Sequence, residues 1–344
     1  MNTTADFDCD NCTLANALLS DASLRSHTVG NIAYCVRAVA YVLVSWITVL
    51  GGFAIFTTIA YHQALRSRPE YVVLAALAFA NAANGLGFFS EGLWQGMHLI
   101  RDGGIALHNP HSFTGFTCGL LPHNLLWMFF FTPVGLMLTV VSIDRFLATT
   151  APMWYFQAKS LSPWYVMIAV PFSVGVGFTT FILGRAYYTM DTPVATDECY
   201  IYGTMGWDMH DATTRVFSYG HVGSVLVYGV TLVIFCRHNH YVALSNPYIS
   251  PAAMRTQSRM TTKMAWSTLA TFVFVVTPLE FANYFFGTAH LHEEVRNLFY
   301  IPLTLDPLFD IYLFYVRHRT IRHGFARVLR RQRMPPTLEQ WPNG

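Results

Sequence analysis

The stretch TVVSIDRFLATTAPMWYF, residues 139–156, decides how this chain is read. Just before and into it, residues 125–143 run for nineteen positions without a charge, and then Asp144 and Arg145 arrive side by side. A helix needs about 20 apolar residues to cross a bilayer. The acid–base pair therefore marks the place where an apolar span ends and water or a partner begins.

The rest of the chain repeats that pattern. Its 344 residues are 53% hydrophobic and 15% aromatic but only 12% charged, about half the ~25% of a soluble domain. Lipid is the solvent such a composition suits. Seven segments have the required length, approximately 34–60, 71–95, 121–148, 164–184, 215–237, 262–287 and 297–317. Helices are expected, because an open sheet would leave backbone groups unpaired in hydrocarbon. The expected fold is an all-α membrane protein, a seven-transmembrane helix bundle over 34–317. An N-terminal segment, 1–33, precedes it and a tail, 318–344, follows. With a net charge of only +2, no nucleic-acid partner is implied.

Lysine and arginine placement orients the bundle. An external N-terminus puts Arg66, Arg68, Arg145, Lys159, Arg237, Arg255, Arg259, Lys263 and the seven arginines of 317–333 inside, fifteen in all. Outside are six: Arg25, Arg37, Arg101, Arg185, Arg215 and Arg296. Two sequons, at Asn2 and Asn11, agree with an exterior N-terminus as glycosylation sites. Residues 1–33 lack a basic start followed by an apolar region, so the first span is expected to act as its own insertion signal. After the last span, Ile321, Phe325, Val328 and Leu329 recur at helical spacing among arginines. That pattern predicts an amphipathic helix at the inner interface, attracted to anionic membrane lipid.

Six cysteines show no zinc spacing, and no metal or other cofactor is expected. The lone CDNC at 9–12 reads as a disulfide or two free thiols.

With the topology in place, SIDRF at the inner end of the third span resembles the Asp-Arg-Tyr motif of rhodopsin-like G-protein-coupled receptors, with Phe146 at the tyrosine position. IDRFLATTAPMWY is also similar to the form common in nematode chemosensory receptors. The resemblance extends over about 300 residues, from the first span through the interfacial helix, and departs from the family in definite places. LAFANAANG carries Asn81 where an aspartate is usual, and VVTPLEF keeps Pro278 without the preceding tryptophan. LDPLFDIY resembles Asn-Pro-x-x-Tyr, with Asp306 for asparagine, Pro307 matched and Asp310 in place of tyrosine. The resemblance implies that Asp144, Arg145 and Phe146 couple to a heterotrimeric G protein. It implies that Asn81, Pro278, Asp306, Pro307 and Asp310 form the conformational switch. It also implies a disulfide between Cys118 and Cys199 on the outer face, and residence in the plasma membrane, in a sensory cilium for a nematode-type receptor.

Ionisable residues inside a membrane are costly and point to function. Glu280, followed by Phe281 and Tyr284, is the first candidate for an extracellular ligand; a carboxylate among aromatics suits a cationic group. His221 and Glu91 are the next. The alternative for Glu280 is a carboxylate satisfied by neighbouring hydroxyls or by His221. Asp306 and Asp310 are expected to form a polar network with Asn81. A transporter using the intramembrane acids is the rival function, although the chain shows no internal repeat. An enzyme is not expected, since no hydrolase motif is present.

Overall fold

The computed structural model describes residues 10–102, 114–151, 154–155, 161–189, 199, 206–245, 266, 269–270, 272–278, 280–281, 301–317, 321–322, 324–325 and 327. These are helical almost throughout, with no strand among them. The first five spans lie in helices Asp10–Tyr61, Pro69–Asp102, Pro122–Thr150, Ser162–Tyr188 and Trp207–Ser245. All five contain stretches long and apolar enough to cross a membrane. Of the sixth span, the described part centres on a π-helical turn, Phe272–Val276. The seventh is Ile301–Arg317.

Two helices run beyond their apolar segments. The first begins at Asp10, although its membrane-suited part is Tyr34–Tyr61. The fifth covers Trp207–Ser245 around an expected 215–237. Hydropathy marks where lipid begins, whereas a helix ends only where something breaks it. Residues 10–33 contain no proline to do so.

The second and third spans form the interior. Their apolar windows are 72% and 67% buried, against 17% for the fourth. Leu43 and Ile47 of the first span and Val166, Val170 and Phe181 of the fourth stand exposed. Such a surface is stable against lipid tails rather than water.

Two apolar layers fill the bundle. One, around Leu74, Leu77, Met137, Val141, Tyr155 and Trp164, lies at the Asp144 end. The other, around Phe88, Trp127, Phe131, Phe217, Val276 and Leu303, lies toward the opposite end. The tail returns to the first of these layers: Ile321 is buried in it, and His62 Nε2 lies 3.4 Å from the Gly324 carbonyl. Val328 and Leu329 lie outside the described residues.

The third and fifth spans cross at a glycine pair. A Cβ added to Gly220 would strike the backbone carbonyl of Gly135, and one on Gly135 would lie 2.7 Å from the Phe217 carbonyl oxygen. Thr139 Oγ1 donates to the Gly220 carbonyl at 2.7 Å, tying the crossing with a hydrogen bond. In the sixth span, Thr277 Oγ1 donates to the Phe272 carbonyl five residues back, at 3.1 Å. The wide turn is followed at once by Pro278. A π turn and a proline together are a recognised cause of a local break in helix geometry.

Candidate functional site

The acid–base pair that ends the third span is held from three directions. Arg145 Nε and Nη2 donate to Asp144 Oδ2 at 2.9 and 2.5 Å. The other carboxylate oxygen, Oδ1, accepts from Tyr155 OH at 2.8 Å and Trp164 Nε1 at 3.0 Å. Arg145 Nη1 reaches across to Glu70 Oε2, 3.2 Å away in the first turn of the second span. Asp144 thus has four donors and is almost wholly buried, while the Arg145 and Glu70 side chains keep 17% and 25% exposure. Burial, ahead of the opposing pull of Arg145, pushes the Tyr155 phenol above its ordinary range, so it stays a donor. Phe146 is half-buried beside the pair. Electrostatically, Asp144 is locked in place, and Arg145 is a cation shared between a buried acid and one near the rim.

Tyr155 lies within the stretch quoted at the outset, eleven residues from Asp144. Glu70 is 75 residues away, and no local pattern points to it.

Asn81, Asp306 and Asp310, three of the residues expected to form the switch, are buried inside the bundle. Asn81 Nδ2 donates to Asp310 Oδ2 at 3.2 Å. Asp306 does not join Asn81 directly: its Oδ2 lies 3.3 Å from Nε2 of His221, on the fifth span. His221 is 0% exposed and Asp306 1%. His221 Nδ1 lies 3.0 Å from the Phe217 carbonyl. The acids on the seventh span therefore tie it to two neighbours, the second span through Asp310 and the fifth through Asp306. Pro307, between them, is buried.

Above this cluster stands a column of rings. Phe217 meets His221 with centroids 4.4 Å apart, and Phe131 stacks on Phe217 at 4.4 Å. Trp127 stacks on Phe131 at 4.2 Å, and His210 lies parallel to Trp127 at 5.9 Å. The column joins the third and fifth spans and leads from the polar centre toward the end where Cys118 and Cys199 lie. Offset-stacked rings of this kind contribute about 0.5–1.5 kcal/mol per pair beyond their buried area.

Among the ligand candidates, Glu280 stands exposed and accepts from Ser218 Oγ at 2.5 Å, across the fifth and sixth spans. Phe281 is exposed beside it. Tyr284 lies outside the described residues. Glu91 accepts from Gln95 Nε2 at 2.9 Å, and Gln95 Oε1 accepts in turn from the buried Arg37 at 3.2 Å. That relay joins the first and second spans. His221, Glu280 and Glu91 are thus in three separate settings: the polar centre, the seam between spans five and six, and the seam between spans one and two.

Cys118 and Cys199 are disulfide-bonded, with Cα atoms 5.2 Å apart. Cys118 is positioned by the short helix Gly115–Gly119, whose start Thr114 closes with a reciprocal capping box. Asn124 donates to both bridged carbonyls, Cys118 O at 2.8 Å and Cys199 O at 3.0 Å. Cys199 has a φ of 49°, an uncommon backbone region for a non-glycine residue. Cys9 and Asn2 lie outside the described residues, and Asn11 falls within the first helix. No group of histidine, cysteine, aspartate and glutamate suited to a metal ion occurs among the described residues.

A bundle of apolar helices, a cross-linked cap at one end, a buried Asp-Arg pair at the other and a polar centre between them define a class of membrane receptor. The family described as 7 transmembrane receptor (rhodopsin family) matches residues 51–306, most of the chain, and the chain belongs to that family. No individual curated protein matches it significantly. The protein is a multi-pass, seven-helix membrane receptor of the G-protein-coupled type, and the partners general to its family are an extracellular ligand and a G protein. Receptors of this family are not enzymes.

Proposed function

We propose that this receptor places its N-terminus and the Cys118–Cys199 cap outside the cell, binds its ligand toward that end, and activates a heterotrimeric G protein through Arg145. The observation that carries the reading is the arrangement around Arg145. Its guanidinium is shared between buried Asp144 and part-exposed Glu70, so it is held without being sealed in. Such a cation can exchange its acidic partners for a docking protein when the surrounding spans move. A ligand shifts that equilibrium only through its differential affinity for the two packings.

The basic bias of the loops supports the orientation, since the Asp144 end carries the excess. The ring column from His210 to His221 supports a ligand site near its outer end, because it offers a packed connection to the polar centre. Glu280, Phe281, Tyr284, His221 and Glu91 remain the residues proposed to serve ligand recognition. A chemosensory small molecule or a peptide is the ligand class proposed from the resemblance to nematode receptors.

The test is ligand-stimulated nucleotide exchange on a promiscuous G protein, with Arg145→Ala alongside. Arg145→Ala should reduce exchange at least tenfold while surface expression stays near wild type. Unchanged exchange would reduce Arg145 to a charge that sets topology. Ligand-driven substrate flux without any exchange would favour the transporter.

A further inference from the structure

We propose that Asp310 and Asn81, together with the His221–Asp306 pair, form a proton-binding site at the centre of the bundle, in which Asp310 is a neutral acid paired with the Asn81 amide. Binding of the proton requires neither a ligand nor the coupling partner.

Hydrogen positions set the number of protons in the cluster. His221 Nδ1 lies 3.0 Å from the Phe217 carbonyl, which can only accept, so Nδ1 carries a hydrogen. Nε2 lies 3.3 Å from Asp306 Oδ2, and that contact also needs a hydrogen between the two atoms. Whichever atom holds it, the His221–Asp306 pair is neutral as a whole. Asp310 is then the odd group, four residues along the same helix from Asp306 and itself buried.

Asn81 shows how that group is accommodated. Its Nδ2 donates to Asp310 Oδ2 at 3.2 Å, yet its Oδ1 is buried with no donor among the described residues. A carboxylate only accepts, so an ionised Asp310 can give that oxygen no hydrogen and leaves a net charge buried. A carboxylic acid donates and accepts, as an amide does, and the two are complementary. One added proton supplies the missing donor and removes the charge. Asp306 Oδ1 is a second buried acceptor without a donor among the described residues.

Among the described residues no arginine or lysine is bonded to Asp310, and any charge on His221 is matched by Asp306. On the first, second, third and fifth spans, Arg37 engages Gln95, Glu91 engages Gln95, Arg145 engages Asp144 and Glu70, and Arg215 engages Asp211. The turn Phe272–Val276 brings no titratable group, and Glu280 beyond it is bound to Ser218. His221 is the fifth span's contribution, and it is committed to Asp306.

The consequence is mechanical. Asp310 ties the seventh span to the second and Asp306 ties it to the fifth, so gain or loss of the proton alters the link among three spans. Loss leaves Asp310 acceptor-only and charged, which favours any packing that admits water to the centre.

Infrared spectroscopy of the purified full-length receptor in lipid nanodiscs tests the site without a ligand. The wild type should show the carbonyl stretch of a protonated carboxylic acid at a pH well above the ordinary carboxylate range. That band should shift in receptor labelled with heavy carboxyl carbon in its aspartates, which separates it from Glu91 and Glu280. In Asp306→Asn, where Asp310 is the acid left in the cluster, the band should persist; in Asp310→Asn that persisting part should be lost; and replacing sodium by choline should change neither. If Asp310→Asn fails to fold, labelled Asp306→Asn decides, because absence of an aspartic-acid band there overturns the proposal. A band that appears only when sodium is withdrawn also overturns it, and makes the cluster a cation site instead.

Discussion

Asp144 carries more of the packing at its end of the bundle than the Asp-Arg motif suggests. Tyr155 and Trp164 donate to one of its oxygens and Arg145 to the other, so the acid anchors the loop after the third span and the start of the fourth. Arg145 then has one further acidic partner, Glu70. A part-exposed ion pair contributes about 0.2–1 kcal/mol, a small but usable bias on a two-state equilibrium. Glu70→Gln is therefore expected to raise basal nucleotide exchange about two- to fivefold and leave surface expression unchanged. Basal exchange at or below wild type would show that Glu70 does not restrain Arg145.

At the scale of elements, the crossing of the third and fifth spans has no room for a side chain. A methyl group on Gly220 would meet the Gly135 backbone, which cannot rotate aside as a side chain could. Gly220→Ala should cost about 1–3 kcal/mol, as overpacking generally does, and lower the thermal midpoint of the purified receptor. Gly229→Ala is the matched control on the same helix, because its added Cβ meets nothing within 4 Å. The control should be neutral or slightly stabilising, since alanine is the better helix former. Equal midpoints for the two variants would mean that the third and fifth spans do not approach this closely.

Over the whole molecule, the disulfide end and the polar centre are joined by packed rings, and the cap is fixed to the third span by Asn124. Replacing Asn124 with alanine takes a donor from each of two carbonyls, of which Cys118 O keeps the Leu121 N–H at 3.1 Å; a buried carbonyl left unpaired costs about 1–3 kcal/mol. Asn124→Ala should lower the thermal midpoint and surface level, with the Cys118–Cys199 bridge still present in non-reduced peptide mass spectrometry. Retained stability would place the cap's anchoring in the disulfide alone.

The membrane as solvent, the number of spans and the family are legible in the linear chain. Each of these rests on patterns that local composition carries: apolar length, charge spacing, and Asp144–Arg145 at the end of the third segment. That the first and fifth helices run past their apolar segments was not legible, because hydropathy reports the membrane rather than the helix. Only the tertiary structure decided which residues meet. It placed Glu70 against Arg145 across 75 residues, and it set Trp164 and Tyr155 on Asp144. It divided the expected Asn81–Asp306–Asp310 network into an Asn81–Asp310 bond and a His221–Asp306 pair, sending His221 to the centre. The physical reason is geometric. A span's periodicity says which residues share a face, but the rotation and depth of each helix are set by close packing against its neighbours, as at Gly135 and Gly220.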